Sequence, residues 1–214
     1  MQQRTSHILY SYWNEIRGVR MAPRRFEIEP SGIASILAET FILECIDGKT
    51  YPFRLAGTRI CEQFGVEFRG RNFVELATAA ERCALEQELA TITEQGAAGI
   101  FELMAEDARG RRVHFEVMVL PLIHGRHGVT RYVGCMSAIE TPPWLGCERL
   151  HAVGFGERRL MWPDGRPHAV IERANRQAPF MPELATARIV RFNRQQFRVL
   201  DGGRKSGGPD KPAD

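Results

Sequence analysis

The chain has 214 residues, of which 29 are basic and 26 acidic, for a formal net charge of +3. Its apolar fraction of 43 % is enough for a hydrophobic core and excludes a wholly disordered chain. No apolar run approaches the roughly 18 residues that a membrane-crossing helix needs. Residues 1–11 lack the basic and apolar regions of a secretory signal. We therefore expect a cytoplasmic protein with no membrane partner.

The number and spacing of the cysteines are typical of a protein in a reducing compartment. Their number is odd, their spacing is wide, and no C-x-x-C pair occurs, so a zinc ribbon and a disulfide framework both lack support. We expect reduced thiols that mostly fill small spaces in the core. The cysteines are Cys45, Cys61, Cys83, Cys135 and Cys147.

Basic charge is concentrated in the last third of the chain. Residues 143–200 contain ten arginines, no lysine and five acidic residues, whereas residues 1–142 contain 16 basic and 18 acidic ones. Arginine pairs bidentately with carboxylate or phosphate. The whole chain has only three lysines, however, so arginine is its usual cation. Without a recognised reader motif, nucleic-acid binding is the less favoured interpretation.

Apolar periodicity predicts an amphipathic helix over Thr5–Arg17, and Gly18 follows it as a typical helix stop. Pro30 suits the first position of a second, short helix that ends near Leu37. The apolar stripe of the first helix consists of Ile8, Leu9, Tyr12, Trp13 and Ile16.

Two strands, Thr40–Cys45 and Phe53–Ala56, are predicted next, with turn-forming residues at 47–49 between them, which indicates a hairpin. Helical patterns then follow at 59–64, 72–76 and 79–95. We expect the longest of these helices to bury Cys83, Leu85, Leu89 and Ile92.

Three more strands are predicted, at 100–105, 113–122 and 131–139, and two prolines at 142 and 143 end the pattern. Beyond them, residues 150–160 and 189–200 are each consistent with a short strand or a helix, and residues 201–214 have the composition of a disordered tail.

This order of elements predicts an α+β fold with a single five-stranded antiparallel sheet. The helices between strands two and three would cover one face, and the N-terminal amphipathic helix would cover the other. The expected domain spans residues 1–140, with its core from about residue 38 onwards. An arginine-rich C-terminal extension over 141–200 follows it.

Short motifs occur through the first 140 or so residues in a fixed order: Tyr12–Gly18, Ala22–Arg25, Arg54–Thr58, Gly65, Arg69–Arg71 and Leu120–Leu122. With these motifs the segment resembles a bacterial PAS-type family with a fixed N-terminal signature, and the order of elements is similar to that of a PAS domain, the small bacterial sensory module. The resemblance implies a PAS-like fold and a non-enzymatic sensory or regulatory module in bacterial signal transduction, with a signalling protein or a second copy as its partner.

In such a fold the sheet and the helices between strands two and three enclose an apolar pocket. Apolar residues at strand period are mostly core, so packing without a ligand or cofactor is the favoured interpretation, and an unknown small ligand is the alternative. The residues that we assign to this pocket are Phe41, Leu43, Phe53, Leu55, Phe73, Leu76, Phe101, Phe115 and Val117.

The N-terminal helix carries the predicted signalling contact. Trp13 and Arg17 are four residues apart, so the guanidinium can lie over the indole. Two interpretations stay open: the helix is simply anchored on the sheet, or a partner grips it. In the second case the contact consists of Trp13, Asn14, Arg17 and Arg25.

Cofactor, metal and catalytic sites are weakly supported. The stretch Gly70–Leu76 resembles the flavin-binding element of light-sensing PAS relatives, but Phe73 stands where their adduct-forming cysteine lies. The helix at 79–95 has no histidine for haem iron. His124 and His127 have no third metal ligand near them in sequence. None of the nucleophile, metalloprotease or phosphate-loop motifs occurs, so we predict no catalytic residue.

Arg188, Arg191 and Arg194, at a spacing of three, resemble arginine-rich cyclic-dinucleotide sites, although the small β-barrel of such sites does not follow them. At helical spacing the three side chains would share one solvated face. Nucleic-acid or cyclic-nucleotide binding through the C-terminal extension is therefore kept as the alternative function.

Overall fold

One antiparallel sheet organises the computed structural model, which describes residues 1–125 and 129–177. Its strands are β1 Thr40–Glu44, β2 Phe53–Ala56, β3 Ala98–Glu106, β4 Arg112–Ile123, β5 Val129–Ala138 and β6 His151–Met161. They are ordered β2-β1-β5-β4-β3-β6, and every neighbouring pair is antiparallel. The α+β class and the antiparallel sheet are confirmed, but this part of the chain contributes six strands where five were predicted.

The helices predicted from the sequence lie close to their predicted positions, whereas the helix at 168–177 and the 3-10 helix at 25–27 were not predicted. The α-helices are α1 Arg4–Arg17, α2 Thr58–Phe64, α3 Arg82–Gln95 and α4 His168–Gln177. Short 3-10 helices cover Arg25–Glu27, Pro30–Glu39 and Phe73–Leu76. Pro30 is at the first position, as predicted, but that helix is a 3-10 helix with a kink at Ile33.

Different helices pack on the two faces of the sheet. Phe41 of β1 faces the helices between β2 and β3, because its ring stacks on Phe73. Its strand neighbour Thr40 pairs with Cys135 on the opposite face, where Ser6 of α1 contacts the Cys135 thiol at 3.7 Å. Helices α2 and α3 therefore share one face, and α1 lies on the other, as the sequence predicted.

The sixth strand resolves the ambiguous segment at 150–160. β6 pairs with β3 from Ala98↔Met161 to Glu106↔His151, and two register shifts interrupt the ladder. Gly154 lies at one of them with φ of +138°, a backbone conformation that glycine adopts readily. These irregularities break the alternation that would have identified a strand.

Three of the five thiols lie in or against the core: Cys135 is buried, and Cys45 and Cys61 are half-buried against it. Cys83 and Cys147 are exposed, so the prediction that Cys83 is buried is wrong. Cys83 cannot share the buried face of α3 because it precedes Leu85 by two residues, which is about 200° around a helix. Leu85, Leu89 and Ile92 are buried as predicted.

Several predictions fall on parts of the chain that are not described. These are His127, the segment at 189–200 with Arg188, Arg191 and Arg194, and the tail at 201–214.

Candidate functional site

The predicted pocket is occupied by a packed group of aromatic rings, which we call the Phe cluster. Each of its rings is at most 4 % exposed. Neighbouring ring centroids lie 4.9 to 6.1 Å apart, which is the range of direct aromatic contact. The rings therefore fill the centre of the helix-covered face. The cluster consists of Phe41, Phe53, Phe64, Phe68, Phe73, Phe101, Phe115 and Phe155.

The other residues assigned to the pocket divide into three groups. Leu43 and Val117 are fully buried, and Leu76 is half-buried against the core. Leu55 is 46 % exposed, so its assignment to the pocket is wrong.

A β-bulge explains the position of Leu55. The register passes from Ile42↔Leu55 directly to Leu43↔Phe53, which leaves Arg54 without a partner in β1. One extra residue reverses the alternation of a strand. Leu55 therefore shares a face with Ile42 and lies on the opposite side from Phe53.

Phe155 belongs to the Phe cluster but was not predicted there. The carboxylate of Glu81, just before α3, accepts the Phe155 N–H at 3.3 Å and the Thr78 N–H at 3.0 Å. Burial alone would raise the pKa of Glu81, but the hydrogen bonds from Thr78 and Phe155 and the charge of Arg158 hold it below its ordinary value. Glu81 thus fixes the irregular part of β6 beside the cluster.

On the other face, Trp13 anchors α1. Its side chain is fully buried, and its indole Nε1–H donates to the Pro121 carbonyl of β4 at 2.8 Å. The Arg17 guanidinium carbon lies 5.6 Å from the centroid of the same ring. The predicted approach of Arg17 to Trp13 is therefore present.

Arg17 itself is only 4 % exposed, and all three of its guanidinium nitrogens donate hydrogen bonds. Its Nε donates to Asn14 Oδ1 at 2.8 Å, and its Nη1 donates to the Arg20 carbonyl at 2.9 Å. Nη1 and Nη2 also donate to the two carboxylate oxygens of Asp164, at 3.1 and 2.9 Å. We call this bidentate pair the Arg17–Asp164 clamp.

Asp164 lies in the turn that leads from β6 to α4. Gly165 closes this turn with φ of +74° and an N–H bond to the Trp162 carbonyl at 2.9 Å. Trp162 Nε1 donates to Gln95 Oε1, at the end of α3, at 3.3 Å. The hydrogen bonds from Arg17, its charge and the charge of His168 hold the pKa of Asp164 below its ordinary value. The turn is therefore attached to the C-terminal ends of both α1 and α3.

A second carboxylate holds the other end of α1. Glu116 of β4 is 4 % exposed and accepts the backbone N–H groups of Gln2 and Gln3 at 2.6 and 3.0 Å. Burial raises its pKa, but hydrogen bonds from Ser6, Gln2 and Gln3 outweigh burial and leave the pKa below its ordinary value. A carboxylate is favourable at this end because the free N–H groups of a helix lie there.

Arg25 does not join the other predicted signalling residues. It lies in the 3-10 helix Arg25–Glu27, and its Nε is buried without a hydrogen-bond partner in the described part of the chain. Sequence reasoning also missed Asp164 and Glu116. Trp-Pro-Asp-Gly at 162–165 is a composition typical of a turn, but nothing in the sequence indicates that Arg17 is its partner.

The described part of the arginine-rich extension uses several of its cations internally. Arg158 lies 3.6 Å from Glu88 of α3, and Arg159 lies 3.1 Å from Glu157.

Over residues 1–125 and 129–177, no three His, Cys, Asp or Glu side chains are grouped to hold a metal ion. Within the same ranges, no helix has the length and apolar character to cross a membrane.

Comparison with known proteins identifies the family. Residues 1–137 match the family model described as PAS domain. No curated protein matches the chain in sequence.

Solved structures also show partial similarity. A Light-Oxygen-Voltage domain is 16 % identical, with a TM-score of 0.40 over 51 % of this chain and 83 % of that one. The LOV protein of Rhodobacter sphaeroides is 11 % identical, with a TM-score of 0.40 over 54 % and 71 % of the two chains. The PAS domain of an HTR-like protein from Haloarcula marismortui is 19 % identical, with a TM-score of 0.37 over 51 % and 96 %. At these TM-scores the overlap is partial, and membership rests on the family match.

Proposed function

The chain belongs to the PAS domain family, and from this premise we propose that it is a non-enzymatic regulatory module whose output is the docking of α1 on the sheet. The observation that carries the proposal is the Arg17–Asp164 clamp, which ties α1 to the turn after β6 through a buried guanidinium. A displacement of α1 therefore alters the contacts of this turn, and a displacement of the turn alters the contacts of α1.

The way α1 is attached suits a switch. Its two ends are held by Glu116 and Asp164, whereas Trp13 supplies the apolar anchor between them. Charge-assisted contacts can be exchanged for contacts with a partner or with water more readily than a buried aromatic core can be rearranged. A cue acts by binding the docked and undocked forms with different affinity, which shifts their populations.

The same carboxylates support a non-enzymatic role. Glu116 and Asp164 have lowered pKa values and direct hydrogen bonds to α1 or its residues. A general acid or base needs a pKa near the working pH and access to a substrate proton. Both groups act instead as structural acceptors. The cue that we propose is a small ligand, a signalling protein or a second copy of the chain.

Electron paramagnetic distance measurements test this proposal. Nitroxides would be attached at Ser11→Cys on α1 and at the native Cys83 on α3, in a Cys147→Ser background; Ser11 and Cys83 are both exposed. We expect one narrow distance distribution with the clamp intact, and a second, broader population in Asp164→Asn. Identical single distributions in both proteins would overturn the proposal. The matched control is Glu157→Gln, because Glu157 forms an exposed ion pair with Arg159 of its own strand.

A further inference from the structure

A small cleft of about 240 Å³ lies at the outer end of the Phe cluster. It is bounded by the end of α2, by the loop and 3-10 helix that follow, and by residues 149–152 at the start of β6. This last wall comes after residue 137, so the cleft combines the family domain with the segment that follows it. The lining includes Phe64, Phe68, Arg71, Glu75, Arg149 and Leu150.

Hydrogen bonds hold the walls of this cleft in place. The Leu150 N–H donates to the Phe64 carbonyl at 3.0 Å, which joins the segment before β6 to the end of α2. Asn72 accepts the Tyr51 N–H at 2.9 Å through its Oδ1, and Arg71 donates from Nε to the Glu67 carbonyl at 2.9 Å. The cleft is therefore formed before any ligand arrives, which reduces the entropy lost on binding.

The inner wall of the cleft is aromatic. Phe64 and Phe68 meet edge to face at a centroid distance of 5.2 Å and an angle of 81°. Each ring is only 2 % exposed, because the rest of the Phe cluster packs behind it. These rings form a stiff base under the cleft, and the half-buried side chains of Val66 and Leu76 provide its accessible apolar surface.

The charge of the cleft is unbalanced. Arg71 and Arg149 both line it, and neither forms an ion pair with any residue in the described ranges. Some other exposed arginines are neutralised, as Arg54 is by Glu44. Glu75 is the carboxylate among the lining residues, so two guanidinium groups face one acidic group.

We propose that this cleft binds a small aromatic anion, a single ring that carries a carboxylate or a phosphate. The guanidinium groups of Arg71 and Arg149 donate to the anionic group, for which arginine has the matching planar geometry. The ring packs against the half-buried side chains of Val66 and Leu76, above the buried Phe64 and Phe68. A volume of about 240 Å³ accommodates one ring with its acidic group and lies below the size of typical drug-sized pockets. This binding does not depend on the proposed role of α1.

Calorimetric and NMR titrations of the full chain test the site with defined probes. Benzoate and phenyl phosphate represent the two anionic groups, whereas benzamide lacks the charge and acetate lacks the ring. We expect one of the two aromatic anions to bind with shifts in the amide signals of residues 64–76 and 149–152, and to bind at least tenfold more tightly than benzamide or acetate. If the better of the two anions binds no more tightly than benzamide, or if neither anion shifts these signals, the proposal is overturned.

Variants of exposed arginines locate the binding. Arg71→Gln and Arg149→Gln are each expected to weaken the better probe tenfold or more, and Arg149→Lys is expected to recover part of the loss. Arg69→Gln is the matched control, because Arg69 is exposed in the same loop but does not line the cleft. An equal loss in Arg69→Gln would show a diffuse charge effect and contradict a defined site. All four residue changes are at the surface, so circular dichroism is expected to report a native fold.

Discussion

Arg17 and Asp164 are 147 residues apart in the chain, yet they form a bidentate ion pair with N–O distances of 2.9 and 3.1 Å. The guanidinium is buried and the carboxylate is partly open to water, with 4 % and 41 % of each side chain exposed. Solvent can therefore reach the clamp from the aspartate side only. This asymmetry makes Asp164 the accessible point at which a cue can release α1.

Removing the charge of Asp164 tests the strength of the clamp. Asp164→Asn leaves a buried guanidinium without its counter-ion, and we expect it to lower the free energy of unfolding by about 1–2 kcal/mol, less than for a fully buried pair because solvent screens the aspartate. Urea unfolding followed by circular dichroism measures the change. Glu157→Gln removes an exposed ion pair, and its effect should stay below about 0.5 kcal/mol. Equal effects of the two substitutions would count against the clamp.

Acid should weaken the N-terminal attachment of α1. Because the pKa of Glu116 is lowered on folding, its carboxylate stabilises the folded state above the ordinary glutamate pKa of about 4.3, and this contribution disappears as the pH falls through the folded-state pKa. We expect Glu116→Gln to be less stable than the wild type at pH 7 and the difference to shrink at pH 3. Urea unfolding at both pH values gives the two differences. A gap that stays constant or widens in acid contradicts this linkage.

Because of the bulge in β2, substitutions at two residues of this strand are expected to differ strongly in their effect on stability. Phe53→Ala opens a cavity in the Phe cluster and is expected to lower the free energy of unfolding by about 3–5 kcal/mol. Leu55→Ala changes a half-exposed side chain and is expected to lower it by less than about 1 kcal/mol. If Phe53→Ala does not fold, Phe53→Leu provides a milder comparison in the same unfolding measurement. A larger effect for Leu55 than for Phe53 would refute the register.

The attachment of β6 depends on Phe155, whose ring lies 5.9 Å from Phe73 and 6.1 Å from Phe101. Phe155→Ala removes these contacts from an edge strand, so we expect amide hydrogens of residues 151–161 to exchange at least tenfold faster while the centre of β4 stays protected. Phe155→Leu keeps much of the apolar volume, so we expect its exchange rates at residues 151–161 to lie between those of the wild type and those of Phe155→Ala. Mass spectrometry of exchanged peptides measures this, and unchanged protection of β6 in Phe155→Ala would disprove its role.

The parts of the fold that sequence predicts well are those with regular periodicity. The bounds of β2 were predicted as Phe53–Ala56, and α1 differs from its prediction by one residue, because alternation and helical spacing are local properties. The face of Leu55 was missed because a single unpaired residue, Arg54, reverses the alternation without changing the composition.

The sequence predicts only those contacts of the candidate site that join residues close together in the chain. Trp13, Asn14 and Arg17 lie within one stretch of helix, so their proximity follows from spacing. Asp164 comes to them only through the pairing of β6 with β3, a long-range contact in a strand with two irregular positions. The cleft beside Arg71 and Arg149 depends on the same placement of residues 149–152.

Hydrogen exchange in Asp164→Asn tests most directly whether α1 and the turn after β6 are coupled. The clamp is bound to the last turn of α1, so we predict faster exchange not only at residues 162–168 but also at residues 14–20, while the centre of β4 keeps its wild-type protection. Glu157→Gln should leave both regions unchanged. Faster exchange at 162–168 with wild-type protection at 14–20 would show that α1 docks independently of Asp164 and would contradict the account.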